Sequence, residues 1–274
     1  MQKLDRLGWA AGISFTAFGA RIGIRVSEPE ILKRLPEYLP PSWKPSAARA
    51  VDQLYSVRIG GAGARAGVRH YHLIYGGPER LVRTTEIDAA LEALEEDIHL
   101  YVAMMARRRV FVHAGVVGWK GKAIVVPGQG FSGKTSLVAA LVRAGAIYYS
   151  DDYAVFDTRG RVHPYPKPLG VREGEAGIQK RYRIEALGGA AGMKPLPVGL
   201  VAVSEYRAGA KWRPRALSPG QGALALLANS VPARTRPEAV LEVARQIAAQ
   251  VPVLKGARGE ADYTAAGLLA RLDS

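Results

Sequence analysis

A glycine-rich segment, GQGFSGKTS, occupies residues 128–136 and matches the full pattern of a phosphate-binding loop, G-x-x-x-x-G-K-T. Glycines allow successive backbone N–H groups to point at phosphate oxygens, and a following helix adds the positive end of its dipole. Lys134 is predicted to reach the β- and γ-phosphates of ATP, and the Thr135 hydroxyl to ligate Mg²⁺. The residues predicted to contact the nucleotide are Gly128, Gln129, Gly130, Phe131, Ser132, Gly133, Lys134, Thr135 and Ser136.

Two adjacent carboxylates, Asp151 and Asp152, follow the loop at short range. The interval holds one amphipathic helix and one strand, so we expect the Asp pair to end a strand that lies next to the strand preceding the loop. Carboxylates at the C-terminal end of such a strand face the same crevice as the loop. One is predicted to hold Mg²⁺ through water, and the other to accept a proton from an attacking hydroxyl.

His113 is the third candidate catalytic residue, and it lies in the apolar stretch VFVHAGVV. This stretch is predicted to be a strand paired with the one that leads into the loop. An isolated histidine in a strand is most often structural. Its spacing, 15 residues before Gly128 in the strand paired with the one that leads into the loop, is what makes it a candidate.

The elements that position these residues form an α/β pattern. VFVHAGVVGWKGKAIVVPG is predicted to be a β-hairpin that turns at GWKGK, and KTSLVAALVRAG a helix that ends at Gly145. AIYYSDDYAVFD then returns as a strand, which completes a βαβ-like unit. Further along, PLPVGLVAVSEYRAG is predicted to be a strand, and TRPEAVLEVARQIAAQV and YTAAGLLARLD are predicted to be helices.

An N-terminal α+β region is predicted over residues 1–100, before a nucleotide-binding domain over residues 101–274. Its predicted strands are FTAFGARIGIRV, DQLYSVRIG and RHYHLIYGG. SEPEILKRLPEYL is predicted to be a short helix capped by Ser27, and TTEIDAALEALEEDIHLYVAMMARR a long one.

The composition limits the classes of function. The 274 residues include no Cys, which excludes disulfides, thiolate metal sites and cysteine nucleophiles. No signal pattern is visible and no apolar run reaches the roughly 18–20 residues of a membrane span, so we expect a cytoplasmic protein without a membrane partner. The net charge of +14 favours anionic partners. Because that charge is spread along the chain, nucleic acid is a less favoured partner than an acidic acceptor.

The histidine strand, the phosphate loop, the single helix and the double-Asp strand end together resemble HPr kinase/phosphorylase and its relatives, which share their core with phosphoenolpyruvate carboxykinase. The resemblance covers residues from about 109 to 175, and HPYPKPLGVR at residues 163–172 is similar to the PKP stretch of HPr-kinase-related proteins, including those encoded with lasso-peptide biosynthesis genes. It implies that Asp151 is the general base, that Asp152 assists at the metal or the base, and that His113 lies near the transferred phosphoryl group. Lys134 and Thr135 would hold ATP·Mg²⁺.

The expected fold is therefore an α/β P-loop kinase core of the HPr kinase/phosphoenolpyruvate carboxykinase type with an N-terminal α+β region. The expected function is an ATP-dependent kinase that phosphorylates a hydroxyl acceptor, such as a serine in a protein or peptide. The glycine-rich second signature of HPr kinases does not follow the Asp pair, so HPr as acceptor and the reverse phosphorolysis are not carried over. A small-molecule kinase and a non-catalytic ATP-gated binding module remain alternatives, and self-association is left open.

Overall fold

The computed structural model describes residues 2–48, 50–61, 69–129, 132–173 and 178–273. The chain divides into two compact units, Met1–Arg107 and Arg108–Ser274. The boundary predicted at residue 100 falls inside a helix, Ile87–Met105, that packs on the sheet of the first unit. The last turn of this helix therefore stays with the first unit, and the division comes after Arg107.

The first unit is an α+β arrangement around a six-stranded sheet. Its elements are α1 (Gln2–Asp5), β1 (Ala11–Ala17), β2 (Ala20–Val26), β3 (Lys44–Pro45), β4 (Gln53–Arg58), β5 (His72–Gly76), β6 (Glu79–Thr84) and α2 (Ile87–Met105). The strand order is β3-β1-β2-β4-β5-β6, in which β2 and β4 pair in parallel and the other neighbours pair antiparallel. The long helix α2 buries Leu91, Leu94, Ile98 and Val102, whose spacing of three and four residues gives it one apolar face.

Two predictions for this unit are wrong in detail. FTAFGARIGIRV forms two strands, because Phe18 and Gly19 both adopt positive φ angles, 49° and 88°, and turn the chain back on itself. SEPEILKRLPEYL forms two 3₁₀ helices, Pro29–Lys33 and Leu35–Tyr38, and not one capped α-helix. The Ser27 hydroxyl instead accepts a hydrogen bond from the Ile59 N–H.

The second unit is mixed α/β and contains the candidate site. Its 3₁₀ helices are Ile184–Leu187 and Val231–Arg234. Its strands and α-helices are β7 (Val110–Trp119), β8 (Lys122–Pro127), α3 (Lys134–Arg143), β9 (Ile147–Ser150), β10 (Tyr153–Phe156), β11 (Arg161–His163), β12 (Leu169–Glu173), β13 (Ile178–Tyr182), β14 (Leu196–Tyr206), β15 (Arg215–Ala216), α4 (Pro219–Leu227), α5 (Pro237–Gln250), β16 (Val253–Arg258) and α6 (Ala261–Asp273).

The main sheet of this unit has the order β11-β10-β7-β8-β14-β16-β15, with β9 also pairing with β7. Strands β8, β14 and β16 are parallel neighbours, so their carboxyl ends meet at one edge of the sheet. Helices cover both sheet faces. Alternate residues of β7, β8 and β14 pack towards α4 and α5 on one face and towards α3 and α6 on the other.

The strand that precedes the Asp pair is not a neighbour of β8, and this prediction is wrong. One long strand, β7, pairs along its outer edge with β10 near its start and with β9 near its end. The other edge of β8 is occupied by β14. Asp151 and Asp152 therefore lie at the break between β9 and β10, beside the middle of β7, where the Ala114 N–H donates to the Asp152 carbonyl at 3.1 Å.

The remaining predictions of elements in this unit are confirmed where the sequence pattern is local. The hairpin β7–β8, the loop helix α3, strand β14, and helices α5 and α6 all form. Helix α4 and strand β16 were missed. Among the described helices, none combines the length and apolarity needed to cross a bilayer.

Candidate functional site

The glycine-rich loop is shaped by close approaches that only glycine permits. Gly133 precedes helix α3 with φ of 77°, and a Cβ there would lie 2.3 Å from Nη2 of Arg258. A Cβ on Gly128 would lie 2.7 Å from the Ser132 hydroxyl oxygen. The Gly128 N–H donates to the His113 carbonyl at 3.0 Å, which ties the start of the loop to strand β7. Gly130 and Phe131, two predicted nucleotide contacts, lie outside the described residues.

Two side chains of the loop offer donors where phosphate oxygens are expected. The Lys134 ammonium lies over the loop and donates to the Gln129 carbonyl at 2.7 Å. Burial lowers the pKa of Lys134, although the nearby carboxylates oppose this change. The Ser132 hydroxyl is buried and has no hydrogen-bond partner within the described part of the chain. Ser136 is exposed, further along the first turn of α3.

Asp151 is the most buried carboxylate of the site, with an exposed fraction of 6%. Thr135 Oγ1 donates to its Oδ2 at 3.1 Å, so the loop helix and the end of β9 are joined directly. The Tyr148 hydroxyl lies 2.8 Å from Asp151 Oδ1 and 3.0 Å from the Lys167 carbonyl oxygen. Its single proton can serve only one of these acceptors at a time.

The surroundings of Asp151 make it a proton acceptor matched to neutral pH. Burial and the negative charge of Asp152 raise the pKa of Asp151 to about 6, and the hydrogen bonds from Tyr148 and Thr135 only partly oppose them. A general base is most effective when its pKa lies near the working pH. A pKa near 6 lies in the range suited to a general base at neutral pH, and Asp151 is one hydrogen bond away from the loop helix.

Asp152 is more accessible and is paired with a residue that the sequence analysis did not assign to the site. Lys167 Nζ lies 2.8 Å from Asp152 Oδ2, and the side chains are 15% and 46% exposed. Lys167 is the central residue of the PKP stretch, and that motif was the sequence signal that could have identified it as a site residue. The structure thus brings that stretch to the Asp pair.

His113 lies on β7 directly opposite Tyr153 in the antiparallel register, and their ring centroids are 5.0 Å apart. Burial and the positive charge of Lys134 lower the pKa of His113, while Asp152 acts in the opposite direction. The lowered pKa favours the neutral imidazole at pH 7. Its electrostatic coupling to Lys134 and Asp152 places it in the same group of side chains.

Arg258 is a second residue that the sequence analysis missed. It ends strand β16, is 2% exposed, and donates from Nη2 to the Gly133 carbonyl at 2.7 Å. Its guanidinium lies over the Tyr206 ring at 5.4 Å, and burial lowers its pKa. Its Nη1 donates to the Gly259 carbonyl at 3.1 Å, Glu260 acts on it electrostatically, and its Nε has no partner within the described residues. A buried cation held mainly by backbone carbonyls thus adjoins the glycine-rich loop.

The donor set is suitable for Mg²⁺, which prefers hard oxygen ligands and retains several waters. Thr135 supplies a hydroxyl, Asp151 supplies carboxylate oxygens next to it, and Asp152 adds the carboxylate of the adjacent residue. In the described ranges, this site included, no cluster of three histidine or acidic side chains could hold a metal by itself. The phosphates of a bound nucleotide would therefore have to complete the coordination shell.

No family model matches the chain, and no curated protein matches it at a significant level. The chemical interpretation of the site therefore rests on its geometry.

Proposed function

We propose that this protein is an ATP-dependent phosphotransferase with a P-loop kinase core of the HPr kinase/phosphoenolpyruvate carboxykinase type. It transfers the γ-phosphoryl group of ATP·Mg²⁺ to a hydroxyl acceptor, such as a serine of a protein or peptide. The observation that carries this proposal is the direct hydrogen bond from Thr135 to Asp151. It joins a phosphate-binding loop to a buried carboxylate with a pKa of about 6.

ATP would be held by the backbone N–H groups of the loop, by the ammonium of Lys134 and by the free hydroxyl of Ser132. Thr135 and Asp152 would hold Mg²⁺, which neutralises charge on the β- and γ-phosphates. Arg258 adds a buried positive charge behind Gly133, where it would stabilise negative charge on the phosphates. In a cytoplasmic setting, ATP would be available to this site.

In the transfer step, the acceptor oxygen forms a bond to the γ-phosphorus while the bond from that phosphorus to the bridging oxygen of ADP breaks. Asp151 accepts the proton of the acceptor hydroxyl, so a phosphoester and ADP are the products. Lys167 holds Asp152 in place. Neutral His113 would donate a hydrogen bond to the phosphoryl group from its one ring N–H without adding charge.

Two alternatives differ from this proposal: a small-molecule kinase has another class of acceptor, and an ATP-gated binding module transfers no phosphoryl group. A gated module needs no proton acceptor beside its metal, so the raised pKa of Asp151 favours transfer over gating. A small-molecule acceptor would use the same step at Asp151. An assay that offers labelled ATP to both classes of acceptor distinguishes a small-molecule acceptor from a polypeptide acceptor.

Binding is tested first by thermal unfolding with and without ATP·Mg²⁺. At a ligand concentration about 100-fold above Kd, binding should stabilise the protein by about 2–3 kcal/mol and raise Tm. Lys134→Ala should lose most of this shift, whereas Lys122→Ala, an exposed lysine at the start of β8, should retain it. An unchanged shift in Lys134→Ala would show that the loop is not the phosphate site.

Transfer is tested with γ-labelled ATP and panels of serine peptides, proteins and small hydroxyl compounds. We expect label on one acceptor class in the wild type and none in Lys134→Ala. ATP binding without label transfer or ATP turnover in any panel would contradict the phosphotransferase and favour the gated module.

A further inference from the structure

A basic cleft lies on the sheet face opposite helix α3, at the carboxyl ends of β14 and β16. Its volume is about 530 Å³, within the range of ligand sites. Val203 in its floor packs towards α4 and α5, which identifies the face. The charged side chains that line it are Glu205, Arg207, Arg213, Arg215 and Lys255.

The cations of this cleft are held together against their mutual repulsion. Arg215 lies directly opposite Lys255 in the antiparallel register of β15 and β16. Like charges at such positions are destabilising. The one carboxylate of the cleft, Glu205, is engaged by Arg207 at 3.1 Å. In the part of the chain that the structure describes, Arg213, Arg215 and Lys255 have no carboxylate within 4 Å. An anionic ligand would relieve this repulsion.

The segment that carries two of these cations is fixed in place by glycines of the neighbouring strand and its loop. A Cβ on Gly256 would lie 3.0 Å from Pro214 Cα, and one on Gly259 would lie 2.4 Å from the Ala210 carbonyl oxygen. The backbone between Ala210 and Pro214 therefore packs directly against β16 and the start of the loop after it. Cations on a fixed backbone lose less conformational entropy on binding than cations on a mobile loop.

The spacing of the cations suits an extended chain better than a single small anion. Pro214 biases Arg213 towards an extended backbone, so Arg213 and Arg215 lie about 6–7 Å apart along the chain and both line the cleft. Acidic side chains at every second position of an extended peptide repeat at the same distance. A single phosphate group carries a charge of about −2, so it would leave one of Arg213, Arg215 and Lys255 without a counter-charge, whereas successive carboxylates of an extended peptide can match all three.

The cleft also lies within reach of the phosphate loop. Strands β8, β14 and β16 are parallel neighbours, and adjacent strands are about 4.8 Å apart. Two such steps place the cleft on the order of 10 Å from the strand that leads into the loop. We infer that this cleft binds an extended acidic segment of the polypeptide that presents the acceptor hydroxyl. The inference rests on the proposed phosphotransferase function for the identity of its ligand as an acceptor.

The test measures binding without ATP, so it is independent of catalysis. The probe is a fluorescent peptide with Glu at every second position, and the readout is anisotropy at about 0.1 M salt. Arg213→Glu/Arg215→Glu should weaken binding by about tenfold or more, because two attractive contacts become repulsive. The matched control is Arg234→Glu/Arg245→Glu, which changes net charge equally at exposed positions outside the cleft and should bind like the wild type. Equal melting temperatures verify that both variants are folded.

Several outcomes would overturn the inference. Equal weakening in both double variants would mean that the peptide follows net charge alone, and absence of binding to the wild type would remove the site. Tighter binding of single-stranded DNA, or full competition by inorganic pyrophosphate, with the same dependence on the cleft would assign it to nucleic acid or to a small anion. Lys134→Ala should bind the peptide normally while losing ATP. The peptide-binding inference and the phosphotransferase proposal can therefore be rejected independently of each other.

Discussion

Strand β10 has a buried aspartate beside each end, Asp151 before it and Asp157 directly after it, and each is 6% exposed. Asp157 Oδ1 accepts the backbone N–H groups of Arg159 and Arg161, and its Oδ2 lies 3.0 Å from His163 Nε2 and 3.1 Å from the Arg161 guanidinium. Burial raises the pKa of Asp157, but these hydrogen bonds outweigh it and bring the pKa to about 2.

At the other end of the strand, Asp151 accepts hydrogen bonds from two neutral hydroxyls, those of Thr135 and Tyr148, and has the carboxylate Asp152 beside it. Burial and Asp152 therefore raise the pKa of Asp151 to about 6. The two aspartates have the same exposed fraction, but Asp151 lies deeper in the protein and its carboxylate loses more hydration. The guanidinium of Arg161 and backbone donors make Asp157 a fixed structural charge, whereas deeper burial and the lack of such donors leave Asp151 able to exchange a proton.

The largest expected difference between the two aspartates is in catalysis. Asp151→Asn keeps the shape of the side chain and removes the proton acceptor, so phosphoryl transfer should fall by about 10²–10⁴-fold while ATP affinity changes little. Asp157→Asn is the matched control and should keep the transfer rate per folded molecule. A labelled-phosphate assay beside an ATP titration checks both. A wild-type rate of phosphoryl transfer in Asp151→Asn would exclude Asp151 as the general base.

The pH dependence of transfer should follow Asp151 and not Asp157. Because the base must be ionised, kcat/KM should rise with pH through about 6 and fall by about tenfold per unit below it. Asp151→Asn should flatten this acidic limb at a low rate, and Asp157→Asn should leave it in place. A limb that persists in Asp151→Asn would assign the titration to another group.

Ionised Asp157 should stabilise the folded protein, although it is not a site residue. Its folded pKa of about 2 is below the ordinary value of 3.8, so it stabilises the protein at and above pH 3.8, and this contribution is lost as pH falls towards 2. Asp157→Asn should lower the free energy of unfolding by about 2 kcal/mol at pH 7. Urea unfolding at pH 7 and near pH 2 measures the difference, which should fall to about 0.4 kcal/mol at the lower pH.

The last expected effect has the opposite sign. The folded pKa of Asp151 is raised above 3.8, so its ionisation costs stability that builds as pH rises from 3.8 to about 6, and below 3.8 there is no cost. Asp151→Asn should therefore raise the free energy of unfolding by up to about 3 kcal/mol at pH 8 and change it little near pH 3.5. A destabilised variant at pH 8 would show that the bonds from Thr135 and Tyr148 outweigh burial.

Local sequence patterns were sufficient for the elements that are stabilised by near neighbours. The hairpin β7–β8, the loop after it and helix α3 are contiguous, and glycine and apolar spacing predict each of them. His113, Lys134, Thr135 and Asp151 could therefore be chosen as candidate site residues from residue types and spacing alone. Helix α4 was missed, although its Ser218 capping box is a recognisable start signal.

Long-range pairing was not predictable in the same way. The sequence favoured Asp151 beside β8, but β7 is long enough to pair with both β9 and β10, and that choice depends on how the whole sheet packs. Lys167 and Arg258 reach the site from separate elements, and Arg258 donates to Gly133 across more than a hundred residues of chain. No local spacing encodes such contacts.

The segment DDYAVFD by itself predicts a strand with an acidic residue at each end. Its short separation along the chain from GQGFSGKTS predicts a carboxylate near the glycine-rich loop. Only the tertiary structure decided that Asp151 receives neutral hydroxyls and that Asp157 receives the Arg161 guanidinium and backbone N–H groups. The physical reason is that a pKa depends on burial and on which donors surround the carboxylate in space. Those donors come from positions that the chain brings together only when the sheet has formed.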